Sequence, residues 1–239
     1  MQIIVFGMHR SGHNAIARWL LYQHKLVDKW QPLESINSSR CFFHTQYCEM
    51  PFTFLSNIMH VDNESTFMNH ITDITVMSAE RTKLEDIDTF IKERGLEGFQ
   101  KVLVVRDYLN WIASVLQMSK NTGNELDLSF LELYRYVTHL EEYVKKTNWY
   151  SISYGNWVLS HALRKLICKQ LNITFTDIGI NVVAPEGGGS SFDKIEDATK
   201  MRVLERWKYF KDTPIYWEII NKLPTIRDFA FAELGDASK

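Results

Sequence analysis

Apolar stretches of two kinds alternate along this chain of 239 residues. Short β-prone runs stand at residues 2–6 (QIIVF), 71–78 (ITDITVMS), 101–105 (KVLVV) and 150–154 (YSISY). Apolar residues at helical spacing follow or separate them, over about 14–24, 84–94, 107–118, 129–146 and 157–171. Strands that alternate with helices predict right-handed βαβ units and a parallel sheet with helices on both faces. The pattern therefore predicts an α/β fold of three αβα layers around a central parallel sheet, in one domain over residues 1–239.

The composition argues against a broad charged binding surface, so we expect the function to reside in a local site. The chain carries 27 Lys and Arg against 29 Asp and Glu, so it lacks the broad positive surface of a nucleic-acid-binding protein. Its three cysteines include no CxxC pair, which argues against a disulfide framework and a zinc knuckle. No apolar run approaches the roughly 18 residues of a membrane span, and the first residues do not resemble a signal peptide. A cytoplasmic location is the expectation.

The first strand and the first helix are joined by a loop with the pattern of an anion site. Gly7 and Gly12 have the G-x-x-x-x-G spacing of phosphate-binding loops, where backbone N–H groups and a helix N-terminus face the anion. The Lys-Ser/Thr pair that binds nucleotide phosphates and Mg²⁺ is replaced by His13-Asn14. The loop instead contains Arg10. A tight turn that binds no ligand remains an alternative.

A second candidate ligand-binding segment follows the strand that is predicted to be most deeply buried, KVLVV. Arg106 lies at its carboxyl end, where open α/β sheets bind their ligands, and Ser114 is eight residues further on. A structural Arg at a strand end is the alternative. Asp107 is a poor match to the metal-binding carboxylate of NTPases, because Arg106 separates it from the apolar run.

Together these segments resemble the sulfotransferases that use 3′-phosphoadenosine 5′-phosphosulfate as donor. HRSGHNAI is similar to the family's 5′-phosphosulfate loop, and RDYLNWIAS to its 3′-phosphate motif. GGGSSF at residues 187–192 resembles its late nucleotide-covering loop, and the region from YSISYG onward resembles its Tyr-Glu-x-Leu strand and following helix. The chain departs from the pattern at His13, where Thr is common, and at Gly155, where the family has an acid. The resemblance implies a P-loop NTPase-like sulfotransferase fold.

The resemblance also implies site residues. Donor binding would involve Arg10, Ser11, Gly12, His13, Asn14, Arg106, Ser114, Gly188, Gly189, Ser190 and Ser191. Arg10 would also stabilise the transferring group, and no metal is expected, since a sulfuryl group carries less charge than a phosphoryl group. Glu80 is the first candidate for the general base, with His44 and His13 as alternatives.

The implied reaction is transfer of a sulfuryl group to a hydroxyl or amine of a carbohydrate or small molecule. The weakly periodic segment of about residues 31–70 is the expected place for acceptor-binding loops. Two other functions remain open: a small-molecule kinase that uses ATP and Mg²⁺, and a nucleotide-binding module without catalysis. The sequence does not indicate the oligomeric state or the acceptor.

Overall fold

The computed structural model describes residues 1–23, 40–45, 53–54, 59–60, 74–80, 84–123, 130–145, 149–181, 183, 192 and 201–226, with backbone alone for the strands between 40 and 60. Its strands are β1 (Gln2–Gly7), β2 (Arg40–Thr45), β3 (Thr53–Phe54), β4 (Met59–His60), β5 (Ile74–Glu80), β6 (Gln100–Val105) and β7 (Tyr150–Ser153). Its α-helices are α1 (His13–Tyr22), α2 (Ile87–Glu93), α3 (Tyr108–Thr122), α4 (Phe130–Lys145), α5 (Tyr154–Leu159), α6 (His161–Gln170) and α7 (Pro214–Ile220). Single 3₁₀ turns cover Leu84–Asp86 and Arg206–Phe210.

The strands form one sheet in the order β4-β3-β2-β5-β1-β6-β7. β2, β5, β1, β6 and β7 run parallel, and β3 and β4 extend the β2 edge in antiparallel fashion. The predicted α/β class and parallel sheet are confirmed. β2, β3 and β4 lie within the segment of about residues 31–70, where acceptor-binding loops are expected, and that expectation stays a prediction. Two of these strands have only two residues each, which is too short for a period-2 pattern to appear in the sequence.

Side chains of the central strand alternate between two hydrophobic cores. Ile3 and Val5 of β1 pack with α1, α5 and α6, whereas Ile4 and Phe6 pack with α2, α3, α4 and α7. All four side chains are fully buried. Helices therefore cover both faces of the sheet, as the continuous apolar runs of β1 and β6 predict.

The helix predicted over 157–171 is two helices. Ser160 ends α5 with an extended backbone and begins α6, where its hydroxyl accepts a hydrogen bond from the Leu163 N–H at 3.1 Å. Serine competes with the helical backbone for hydrogen bonds and is favoured at N-caps, which explains the break.

The strand order opens a crevice at one edge of the sheet. After β1 the chain crosses to α1 on one face, and after β6 it crosses to α3 on the other. β1 and β6 are neighbours, so the connections after their carboxyl ends separate in opposite directions. Ligands of open α/β sheets bind at such a switch point.

Candidate functional site

The loop of residues 8–12 leaves the sheet at this switch point. Its preceding residue, Gly7, is paired with Glu80 at the end of β5 and with Val104 near the end of β6. Because the three strands are parallel, their carboxyl ends place the loop, Glu80 and Arg106 at the same edge of the sheet.

Both glycines of the loop are required by close packing. A Cβ on Gly7 would lie 2.5 Å from the Ser11 Oγ and 2.8 Å from the His13 Cβ, because the loop turns back over the strand end. A Cβ on Gly12 would lie 2.3 Å from the ring of Tyr154, the residue that follows β7. The G-x-x-x-x-G spacing therefore has a structural cause in this chain: both positions are too close to a neighbour for any side chain.

The loop backbone has the geometry of an anion-binding turn. Arg10 has a φ of 64° and Gly12 a φ of 90°, both in the left-handed region. Gly12 is the N-cap of the ten-residue helix α1, and no side chain of the described residues caps that helix. The first N–H groups of a helix have no intrahelical acceptor, and alternating left-handed residues direct such groups toward an anion. The loop therefore offers backbone donors and a helix dipole.

Two guanidinium groups converge beside these donors. The Arg106 Nη1 donates to the backbone oxygen of Arg10 at 3.2 Å, and the positive charge of Arg106 acts on the Arg10 side chain. Burial lowers the pKa of Arg10, and the neighbouring Arg106 lowers it further, whereas Glu80 raises it. Like charges that are partly desolvated and close together repel each other, and a bound anion would relieve that repulsion.

Arg106 also has a structural role. Its Nη2 donates to the Val203 oxygen at 2.7 Å, and its guanidinium lies 5.2 Å from the centroid of the Tyr154 ring. The side chain is 2% exposed, and burial lowers its pKa. Its Nε has no hydrogen-bond partner in the described part of the chain. Arg106 therefore links the loop and the segment around Val203 to the end of β6. Its Nε–H is the donor that makes no hydrogen bond within the described residues.

Ser114 lies on α3, fully buried, and receives a hydrogen bond from Arg206. The Arg206 Nη1 is 3.1 Å from the Ser114 Oγ, and the guanidinium lies 5.0 Å from the Phe192 ring centroid. Sequence analysis missed Arg206, because no spacing within MRVLERW connects it to residues 92 positions earlier. The structure thus adds a second buried cation, Arg206, to the predicted pair of Arg106 and Ser114.

Asn110 joins the segment that contains Val203 and Arg206 to the start of α3. Its Nδ2 donates to the Leu204 oxygen at 2.9 Å, and its Oδ1 accepts from the Trp207 N–H at 3.2 Å. Asp107 caps the helix by accepting from the backbone and side chain of Asn110, both at 2.9 Å. Burial raises the pKa of Asp107, and the Arg106 charge opposes that shift. Asp107 therefore has a structural role as the helix cap.

Glu80, the first candidate for the base, lies close to His13. The Glu80 Oε2 is 3.6 Å from the His13 Nε2, and the His13 Nδ1 is 3.1 Å from the Ser11 Oγ. Asn14 accepts a hydrogen bond from the Ser78 hydroxyl at 2.6 Å, which fastens α1 to β5. The structure thus brings the predicted loop residues and Glu80 together.

Other predicted site residues are described only in part or not at all. His44 lies on β2, with its backbone paired to Ser78 of β5, and its side chain is not described. The late-loop residues Gly188, Gly189, Ser190 and Ser191 lie outside the described residues. Their roles stay predictions.

Where the structure describes the chain, no three His, Cys, Asp or Glu side chains are grouped to hold a metal ion. Within the same residues, no helix combines the length and apolar character needed to cross a bilayer.

Comparisons with known proteins do not assign this site. No family model matches the chain, and no curated protein matches it at a significant level of similarity.

Proposed function

We propose that this chain is a sulfotransferase with a P-loop-like sulfotransferase fold. It would move the sulfuryl group of 3′-phosphoadenosine 5′-phosphosulfate to a hydroxyl or amine of a carbohydrate or small molecule. The observation that carries the proposal is the convergence of Arg10 and Arg106 beside the uncapped N-terminus of α1. Two cations without the Lys-Ser/Thr pair of nucleotide kinases suit an anion that is handled without Mg²⁺.

The described residues fit the two ends of the donor. Arg10 and the first amides of α1 would bind the 5′-phosphosulfate. Arg206 and Ser114, already hydrogen-bonded to each other, offer a cation and a hydroxyl for the 3′-phosphate, and the remaining N–H of Arg106 lies in the same buried region.

Transfer would begin with attack of the acceptor oxygen or nitrogen on sulfur. A bond forms between that atom and sulfur, and the bond from sulfur to the phosphate oxygen breaks, with its electron pair leaving on the phosphate. Arg10 and the loop amides would stabilise the charge that grows on the phosphate. Glu80 would accept the proton of the acceptor, since it ends the strand next to the loop.

Thermal-shift titration tests the proposal with adenosine 3′,5′-bisphosphate, AMP, and ATP with Mg²⁺. At a bisphosphate concentration 100 times its Kd, stabilisation is about 2.7 kcal/mol, or roughly 5–10 °C for a chain of this size. We expect this shift to persist in EDTA. A larger shift with ATP and Mg²⁺ that EDTA abolishes would favour the kinase instead.

Arg10→Gln is the sharpest variant, with Arg94→Gln as its matched control. Arg94 follows α2, whose chain continues to the opposite, amino-terminal edge of β6. Loss of a charged hydrogen-bond donor costs about 1.5–3 kcal/mol, so Arg10→Gln should weaken bisphosphate binding roughly 10- to 100-fold, and Arg94→Gln should not. Arg106→Ala is less informative, because it also removes the contacts to Arg10 and Val203.

Sulfuryl transfer is then measured with radiolabelled donor and a panel of alcohols, amines and sugars. Labelled product from at least one acceptor is the expected result. Tight bisphosphate binding with no transfer and no donor turnover would instead support a nucleotide-binding module.

A further inference from the structure

Three side chains form a row at the carboxyl ends of β1 and β5. The Ser11 Oγ lies 3.1 Å from the His13 Nδ1, and the His13 Nε2 lies 3.6 Å from the Glu80 Oε2. The three residues are between 1% and 4% exposed. The row connects the anion loop to the proposed base.

The two contacts determine how the imidazole ring is oriented. With its proton on Nε2, the ring accepts the Ser11 hydroxyl hydrogen at Nδ1 and points its own N–H toward the carboxylate of Glu80. Both ring nitrogens are then directed at protein groups. This arrangement disfavours the sequence-based alternatives in which His13 contacts the sulfate or acts as the base itself.

Glu80 is also faced by a cation from the loop. The charges of Glu80 and Arg10 interact, and Arg10 belongs to the proposed anion site. His13 of α1 and Arg10 of the loop are two charged or titratable groups that the structure places against Glu80. A carboxylate between two such groups is held in place at the edge of the anion site.

We propose that His13 is a positioning residue, which the Ser11 hydroxyl orients and which keeps Glu80 aimed at the acceptor. This inference rests on the proposed sulfotransferase function. Glu80 takes the proton from the acceptor while the acceptor atom bonds to sulfur and the bisphosphate leaves. His13 keeps its own proton throughout and acts only through Glu80.

Two substitutions separate the two contacts of the ring. The amide of Asn reaches about as far as Nδ1, and that of Gln about as far as Nε2. His13→Asn therefore keeps a partner for Ser11 but loses the contact with Glu80, and His13→Gln keeps an N–H group that faces Glu80. The readout is release of adenosine 3′,5′-bisphosphate from the phosphosulfate donor, with the best acceptor of the panel or with water.

We expect Glu80→Gln to lower kcat by about 10²- to 10⁴-fold, the usual contribution of a general base. His13→Asn should lower kcat by about 10²-fold through misplacement of Glu80, with the donor KM within about threefold of wild type. His13→Gln should recover kcat to within about tenfold of wild type.

The double variant supplies the decisive comparison. If His13 acts through Glu80, His13→Asn costs nothing further once Glu80→Gln is present. Multiplicative losses would overturn the positioning role, as would a His13→Asn protein with the wild-type kcat. Wild-type protein that binds the bisphosphate but never turns over the donor would overturn it as well. Failure of wild type to bind the bisphosphate is a separate result, which refutes the proposed function.

Discussion

Replacing Gly12 by Ala tests whether the anion loop is held against Tyr154. The new Cβ would lie 2.3 Å from the Tyr154 Cδ2 and 2.4 Å from its Cε2, at a backbone φ of 90°. The same change at Gly123 is the matched control, since its φ is 69° and, beyond its chain neighbours, no atom of the described residues lies within 4 Å of the added Cβ. The pair separates the cost of a positive φ from the cost of the overlap.

The magnitude follows from these two terms. A non-glycine residue in the left-handed region costs about 1–2 kcal/mol, and the lower entropy of the unfolded chain returns about 0.4–1 kcal/mol. Gly123→Ala should therefore cost about 1 kcal/mol, and Tm should fall by roughly 2–4 °C. Overlap with a packed ring adds about 1–3 kcal/mol, so Gly12→Ala should cost about 2–4 kcal/mol and lower Tm by roughly 4–16 °C.

The assay is urea unfolding followed by Trp fluorescence and by circular dichroism, with coincident transitions as the condition for comparing free energies. Tyr154→Ala should bring the cost of Gly12→Ala close to that of Gly123→Ala, because it removes the ring. Equal destabilisation by the two glycine variants in the wild-type background would refute the close packing of the loop against Tyr154.

Two further predictions concern charges that are buried or partly buried. Arg164 makes two hydrogen bonds of 2.8 Å to the carboxylate of the partly buried Asp177, so Asp177→Asn should weaken a charged hydrogen-bonded pair and cost about 1.5–3 kcal/mol in urea unfolding. Glu141→Gln, in the exposed pair with Lys145, should change stability by less than about 1 kcal/mol; equal effects of the two variants would contradict a stabilising Arg164–Asp177 pair. Burial raises the pKa of Asp107 above the ordinary 3.8, so the folded state keeps its proton to higher pH than the unfolded state does. The contribution of Asp107 to stability therefore falls as pH rises from 3.8 to the raised value, and Asp107→Asn should remove that part of the slope in unfolding free energy measured against pH; an unchanged slope would count against the raised pKa.

The sequence predicted the elements whose pattern is local. β1 and β6 are continuous apolar runs bounded by glycine or charge, and each was expected within one or two residues of its observed ends. The loop between β1 and α1 was also expected, because Gly7, Arg10 and Gly12 stand within six consecutive residues, and its binding of an anion stays a prediction. Such features depend on residues that are close together in the chain, so they can be predicted from the sequence.

The missed features depend on contacts between distant segments. Arg206 reaches Ser114 across 92 residues, and nothing near Arg206 in the sequence marks that contact. The contact of Arg106 with Val203 joins residues that are similarly far apart in the sequence. The position of Arg106 at a strand end therefore predicted a ligand-binding residue but not its structural contact with Val203. The row from Ser11 to Glu80 likewise required the register that pairs Gly7 with Glu80.

The two carbonyl contacts of Arg106 have a consequence for how this chain folds. Their acceptors lie 96 residues earlier and 97 residues later in the chain, at Arg10 and Val203. Contacts between such distant segments slow folding, because long loops must close before the contacts can stabilise them. During synthesis, both contacts of Arg106 could not form until the chain beyond Val203 had emerged. Binding of the bisphosphate at the proposed site would thus report the finished fold, and an amino-terminal fragment that forms the first strands would still lack the Val203 contact.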